Sequence, residues 1–252
     1  MSSQKSVAPE ISVVIPVFNE SHRILRTLSA VTEFFRDRNA ELIFVDDGSS
    51  DNTVSILNEF ATNHPEVVVM AEQHRGKAAT VLAGMSRAQG KVVGFMDADL
   101  ATPLSTWYRC EEALQNGAGV AIASREGSDS IRVNEPWYRH LMGRVFNVLV
   151  QLLLLPGIDD TQCGFKVFSR EALNEILPRQ QLYRNAEVVR TPRVTAFDVE
   201  LLYIARRHDH EIAVIPITWQ YGDHSKVNPV IDTFQNVLDV LRVKWNSVRG
   251  RY

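Results

Sequence analysis

The chain has 252 residues, 45% of them hydrophobic and 23% charged, with a formal net charge of -3. That composition belongs to a folded globular protein and excludes a disordered or collagen-like chain. The near balance of charge argues against a nucleic-acid polymer as partner, which normally meets a basic excess.

The N-terminal stretch MSSQKSVAPE is polar and lacks the apolar run of a signal peptide, so residues 1–10 read as a flexible tail and residues 11–252 as one domain. Cys110 and Cys163 lie far apart without metal-ligand spacing, which reads as free thiols in a reducing cytoplasm.

From Ile11 to Ile122, short β-branched runs alternate with stretches of helical period. ISVVIPV, ELIFVDD, EVVVM, KVVGFMD and GVAIAS read as strands, while ILRTLSAVTEFF sets Ile24, Leu25, Leu28, Val31 and Phe35 on one helical face. This alternation predicts an α/β fold with a mostly parallel sheet covered by helices. Ligands of such sheets bind outside the carboxyl ends of the strands. Polar residues collect there: the first run leads into Phe18, Asn19 and Glu20, the second into Asp46, Asp47, Gly48 and Ser49, the fourth into Asp97 and Asp99. A turn and helix cap accounts for Ser50 or Asp51 in DDGSSDNT, but not for acids at the strand end itself. Unpaired carboxylates inside a sheet are costly, so Asp97 and Asp99 either form a turn or meet a cation. In HRGKAATVLAG, Gly76 and Lys77 open a helix, where backbone donors and an ammonium suit an anion.

Beyond Ala123 the alternation lapses. SREGSDSIRVNE reads as an exposed loop, and PWYRHLMGRVFNVLVQLLLLPG as an amphipathic helix with Trp137, Leu141, Val145, Leu149 and Leu152 on one stripe. It falls short of the about 20 apolar residues that a spanning helix needs. It suits either packing on the sheet or lying at a bilayer interface. DDTQCGFKVFSREALNEIL reads as a turn, a short strand and a helix; Asp159 and Asp160 suit the turn, and Lys166 an outward strand position. PRQQLYRNAEVVRTPRV is arginine-rich and aperiodic. TAFDVELLYIARRH is helical, with Asp198 and Glu200 at a start where acids suit the macrodipole. EIAVIPITW is a strand and VIDTFQNVLDVLRVKW a closing helix, whose basic end RVKWNSVRGRY suits anionic lipid headgroups.

VVIPVFNE, FVDDGSSDNT, GKAATVLAGMSRAQGKVVGFMDADLATP, DDTQCGFKVF and FDVELLYIARR, in this order, resemble the inverting glycosyltransferases of the single-domain nucleotide-sugar fold. Among these the chain is most similar to the dolichyl- or polyprenyl-phosphate glucosyl- and mannosyltransferases, over the stretch from Ile11 to Lys226. The resemblance implies a metal-dependent inverting transfer of a hexose, glucose ahead of mannose, from UDP-glucose or GDP-mannose to polyprenyl phosphate. It implies a nucleotide-sugar half, 11–122, and an acceptor half, 123–252. It also implies peripheral attachment to the cytoplasmic face of a membrane, and leaves an oligomer open.

Carried onto this chain, the resemblance assigns the nucleotide sugar to Pro16, Phe18, Glu20, Asp46, Asp47, Gly76, Lys77, Asp97 and Ala98. The sequence does not separate Asp46 from Asp47. Asp99 is implied as the direct ligand of Mg²⁺ or Mn²⁺, with Asp97 beside it, and Asp160 as the acid near the anomeric carbon and acceptor. Arg125, Gln162 and Lys166 are expected toward the acceptor phosphate; Ser225 and Lys226 are expected to close on the diphosphate, with His224 where the family more often has glycine. A phosphate monoester, with a second pKa of about 6, is mostly a dianion at neutral pH and needs little deprotonation. Asp160 then supports charge on the sugar or orients the acceptor, whereas an alcohol acceptor would require it as a base. The alternatives are a soluble sugar or polysaccharide acceptor, and a catalytically silent nucleotide-sugar-binding protein.

Overall fold

The computed structural model describes residues 8–127, 129–133, 137–184, 186–189, 195–220 and 229–252. Most of the expected N-terminal tail, and both Ser225 and Lys226, lie outside the described residues.

Five runs rich in β-branched residues become strands: β1 (Ile11–Val17), β2 (Ala40–Asp46), β3 (Val67–Ala71), β4 (Val92–Met96) and β5 (Val120–Ser124). Their near-continuous apolar character follows from burial on both faces of one sheet. That sheet has seven strands in the order β3-β2-β1-β4-β7-β5-β8, with β7 at Phe165–Ser169 and β8 at Ile212–Pro216. Helices α1 (Ile24–Phe35), α2 (Thr53–Ala61), α3 (Lys77–Arg87) and α4 (Thr106–Gln115) connect the first strands. Of the face predicted for α1, Ile24, Leu28, Val31 and Phe35 are buried and Leu25 is exposed. One apolar cluster lies on each side of the sheet: Val14, Ile43 and Phe95 belong to one, Val13, Phe44 and Trp107 to the other.

Chain order reverses between β1 and β4, since β2 and β3 extend the sheet on one side of β1 and β4 lies on the other. A crevice forms outside the carboxyl ends at such a switch point. The single antiparallel insertion, β7, decides what fills it. Running against both β4 and β5, with Met96 opposite Phe165, β7 delivers the segment before it to the carboxyl edge of its neighbours. Asp160 thereby lands between the ends of β4 and β5. The sequence marked this strand but not its direction.

The strand expected at EIAVIPITW is two strands. β8 ends at Pro216, and β9 (Thr218–Gln220) pairs in parallel with β6 (Ile131–Val133), a short strand inside the expected exposed loop. Ile217 makes the hand-over: its N–H donates to Ser124 at 3.1 Å and its carbonyl accepts from Ile131 at 3.0 Å.

The second half adds α5 (Trp137–Leu153), α6 (Arg170–Arg179), α7 (Phe197–Arg207) and α8 (Pro229–Val248). The α5 stripe, expected either to pack on the sheet or to lie at a bilayer interface, turns partly outward. Val145, Val148 and Leu152 are exposed, while Phe146, Asn147, Val150 and Leu154 are buried. The side chains of Trp137 and Leu141 lie outside the described set. Among the described residues, no helix is long and apolar enough to cross a membrane.

Candidate functional site

The first wall of the crevice is a laced pair of loops after β1 and β2. Asn19, at φ 52°, donates its N–H to Ser49 Oγ at 2.8 Å, and its side-chain oxygen accepts from the Ser50 N–H at 2.8 Å. Glu20 is buried, takes Arg23 Nε as an ion partner, and donates its N–H to Thr53 Oγ1 at 2.9 Å. Pro16 lies within β1, two residues ahead of Phe18.

Asp46 and Asp47, inseparable in the sequence, differ sharply in the fold. Asp47 is spent on the loop before α3: Oδ1 accepts from the Arg75 N–H at 2.8 Å and the Gly76 N–H at 3.1 Å, and Oδ2 meets His74 Nδ1 at 2.8 Å. Asp46 accepts from the Ser49 N–H through Oδ2 at 2.8 Å, and its buried Oδ1 has no hydrogen-bond partner in the protein. A buried acceptor left unpaired costs free energy comparable to a lost hydrogen bond, so Asp46 keeps capacity for a donor from outside. His74 stacks on Phe18, with ring centroids 4.2 Å apart and planes 4° from parallel. Its role was not read from the sequence; a histidine two residues ahead of a loop glycine was the available signal.

Gly76, at φ 90°, turns the chain into α3 in a conformation that glycine adopts without strain. Lys77 at the start of α3 reaches across to pair with Asp97 at the end of β4. Burial disfavours its charge, but Asp97, Asp198 and Asp99 outweigh that and raise its pKa. Loss of solvent, and then the Asp97 charge, raise the Asp99 carboxyl. Asp99 Oδ1 accepts from the Ala101 N–H at 3.0 Å, the Asx-turn expected of a strand-end acid, and Ala98 is buried between the two acids with its carbonyl held by Thr27 at 2.6 Å.

Asp97 is seated against Gly164. Its N–H donates to the Gly164 carbonyl at 3.0 Å, and a Cβ built on Gly164 would stand 2.0 Å from Asp97 Oδ2. Upstream of Gly164, Asp160 is 1% exposed and fully engaged. Oδ2 accepts from the Arg125 N–H at 2.9 Å and from Arg125 Nε at 2.8 Å, while Oδ1 accepts from Arg125 Nη2 at 2.9 Å and the Gln162 N–H at 3.2 Å. Burial works to raise the Asp160 pKa, but the Arg125 charge and its hydrogen bonds, with Lys166 further off, drive it well below the ordinary carboxylate range. The Arg125 guanidinium in turn stands 5.3 Å from the Trp219 ring centroid.

A cavity opens between the segments that follow β4 and β5, lined among others by Asp97, Asp99, Thr102, Arg125, Gln162 and Trp219. Trp219 was not singled out in the sequence, because nothing in EIAVIPITW shows that β9 leaves the main sheet for this edge. Lys166 is a correction in the other direction. Expected beside an acceptor phosphate, it is 0% exposed and bonded to Asp198, because β7 is an interior strand covered on both faces.

Among the described residues, no cluster of three or more histidine, cysteine or acidic side chains is placed to hold a metal ion by itself. Two neighbouring carboxylates facing a cleft fit a different kind of site. Mg²⁺ and similar hard cations are commonly held by one or two carboxylates together with substrate phosphates rather than by an all-protein cage.

Residues 12–177 match the sequence profile described as Glycosyl transferase family 2. The chain belongs to that family. Similar proteins include a dolichyl-phosphate beta-glucosyltransferase of Dictyostelium discoideum, 30% identical over 95% of this chain and 75% of its own length. Those of Drosophila melanogaster and Saccharomyces cerevisiae are 32% and 31% identical, each over 96% of this chain and 76% of the relative. The fold matches those of glycosyltransferases with known structures. A Pyrobaculum calidifontis mannosyltransferase in complex with GDP-Man and Mn²⁺ superposes with a TM-score of 0.61 at 20% identity, over 96% of this chain and 65% of the other, just under two thirds of its length. Glucosyl-3-phosphoglycerate synthase from Mycobacterium tuberculosis, in complex with Mn²⁺, UDP and glucosyl-3-phosphoglycerate, superposes with a TM-score of 0.63 at 19% identity, over 96% and 81%. The family 2 chain is therefore a glycosyltransferase, and the strand-end crevice is its candidate active site.

Proposed function

We propose that this glycosyltransferase transfers a hexose, glucose ahead of mannose, from a nucleotide-diphosphate sugar to polyprenyl or dolichyl phosphate with inversion. The observation that carries the reading is the state of Asp160. A carboxylate with both oxygens occupied and its pKa driven down is a poor proton acceptor. That suits an acceptor which arrives already ionised, as a phosphate monoester does. The naming of the similar proteins as dolichyl-phosphate beta-glucosyltransferases supports the same acceptor and sugar.

In this reading an acceptor phosphate oxygen attacks the anomeric carbon from the face opposite the leaving group. A new C–O bond forms, the bond to the nucleoside diphosphate breaks, and its electron pair departs with the diphosphate; no proton moves. Glu20 and Asp46 accept hydrogen bonds from the nucleoside, beside the base pocket shaped by Pro16, Phe18 and the Asp47-anchored loop with Gly76. Lys77, opposite Asp97, answers the negative charge that grows on the diphosphate, an electrostatic role worth more in a cleft than in water. Asp99, with Asp97 beside it, would hold Mg²⁺ or Mn²⁺, which would supply Lewis-acid stabilisation of the leaving group. Arg125 and Gln162 line the acceptor side, and Ser225 and Lys226 are proposed to close over the diphosphate. Residues 11–252 are taken as one domain, because one sheet draws strands from both halves.

Peripheral attachment to the cytoplasmic face of a membrane is proposed through two exposed stripes. Val145, Val148 and Leu152 on α5 and Leu241, Trp245 and Val248 on α8 are exposed, with the basic Arg144, Lys244 and Arg249 beside them. Lys244 donates to the Leu153 carbonyl at 3.2 Å, which brings the two stripes alongside. Apolar and aromatic groups edged with cations suit an anionic lipid surface.

Incubation with UDP-glucose or GDP-mannose, polyprenyl phosphate, and Mg²⁺, Mn²⁺ or chelator tests the proposal. Lipid-linked glucose formed only with a divalent cation is expected. Transfer to a soluble sugar with polyprenyl phosphate inert, or no transfer under any pairing, refutes it.

A further inference from the structure

Lys166 is the feature that the site leaves unexplained. Its ammonium is sealed at 0% exposure, donates to the Cys163 carbonyl at 2.6 Å and to Asp198 Oδ2 at 2.8 Å, and stands 5.3 Å from the Phe95 ring centroid. Burying an ion pair is often no better for stability than filling the same space with apolar side chains. Packing alone therefore gives no reason for a lysine here, and what distinguishes it is the carbonyl that it grips.

Cys163 lies in the turn that carries Asp160 and touches Asp97. Three residues before it, Asp160 forks with Arg125. One residue after it, Gly164 accepts the Asp97 N–H and leaves no room for a side chain against the Asp97 carboxylate. Asp198, in the first turn of α7, supplies the opposite charge, and the field of its carboxylate also reaches Lys77, the partner of Asp97. Neither Lys166 nor Asp198 lines the cavity.

We infer that Lys166 and Asp198 are a positioning pair for glycosyl transfer: Asp198 neutralises Lys166, and Lys166 clamps the Cys163 carbonyl so that Asp97 and the Asp160–Arg125 fork stand at a fixed separation beside the cleft. The inference deepens the proposed reaction and rests on it for its kinetic arm. It differs from an acceptor-binding role, because the ammonium never meets substrate.

The test compares Lys166→Met, Asp198→Asn and the double variant Lys166→Met/Asp198→Leu. Each single variant strands a buried charge or dipole and is expected to melt well below wild type. The double variant removes both charges and is expected to regain the wild-type Tm to within a few degrees. Its kcat is nevertheless expected about 100-fold below wild type, the scale of a 1 Å misplacement, with the donor KM changed by less than about 3-fold. Recovery of kcat together with Tm makes the pair merely structural and overturns the inference. A donor KM effect at intact kcat overturns it as well, and so does a double variant that stays unfolded. A crystal structure of the double variant decides the question independently of activity. Displacement of the 160–164 turn with the Asp160–Arg125 fork opened is expected, and a superposable turn overturns the inference. If wild type transfers no sugar at all, the functional reading fails while this structural arm still judges the pair.

Discussion

Gly164→Ala probes the tightest contact in the site. The added Cβ would meet Asp97 Oδ2 at 2.0 Å, Cγ at 2.3 Å and Oδ1 at 2.7 Å. Contacts below roughly 3.0 Å are not tolerated, so the carboxylate must retreat by about 1 Å, and a misplacement of that size costs on the order of 100-fold in rate. The backbone cannot give way instead, because the Gly164 carbonyl holds the Asp97 N–H at 3.0 Å and Phe165 is in register with Met96. Steady-state transfer measured across a Mn²⁺ titration is expected to show kcat/KM about 100-fold down and half-saturation at higher cation, with Tm lowered only modestly. Gly143→Ala on α5 is the control: a Cβ there meets nothing within 4 Å, and the change is expected to leave activity intact. Gly164→Ala activity within about 3-fold of wild type would refute the claim that Asp97 is held by this contact at a catalytically sensitive position.

Asp160→Asn keeps the shape but removes the charge opposite Arg125; kcat is expected to fall by at least about 100-fold, with stability down by roughly 3–5 kcal/mol as for a broken buried pair. Because the folded-state pKa of Asp160 is depressed, its stabilisation is present above the unfolded carboxylate range and is lost only as pH falls far below it. An acid limb of kcat/KM near neutrality that vanishes in a chemically competent Asp160 variant would contradict this. Glu200 behaves oppositely. Burial raises it from 4.5 to about 7 despite donors from Tyr252 and the Gln181 and Leu182 N–H groups, so its contribution is full below 4.5 and is lost as pH rises through about 7. Glu200→Gln is expected to flatten the fall in Tm between pH 5 and pH 8, by about 3 kcal/mol or roughly 6–12 °C, and parallel wild-type and variant profiles would show the assignment to be wrong. Replacing Leu152 and Trp245 by serine is expected to reduce co-sedimentation with anionic vesicles several-fold at unchanged Tm; unchanged sedimentation would remove the two stripes as the attachment surface.

Much of the fold was legible because local pattern and burial agree. The five apolar runs ending at Ala71 or earlier, Met96 and Ser124 have the composition of strands covered on both faces, and their periodic partners are helices. The acids at Glu20, Asp46, Asp47, Asp97 and Asp99 were legible as candidate site residues because a charge at the end of a greasy strand has few places to go except the sheet edge. Asp160 rested on its motif, and nothing in DDTQCGFKVF says where its strand inserts.

What the sequence by itself determined is thus the local chemistry: which segments are strands, which residues stand at their ends, and that carboxylates gather there. Tertiary structure alone decided how those residues divide their labour. The antiparallel placement of β7 brought Asp160 between the ends of β4 and β5 and turned Lys166 inward to Asp198. The loop before α3 consumed Asp47 and left Asp46 an open oxygen. The turn at Ile217 carried Trp219 to Arg125. Each depends on contacts between residues distant in the chain, and periodicity and end signals report only on a residue's near neighbours.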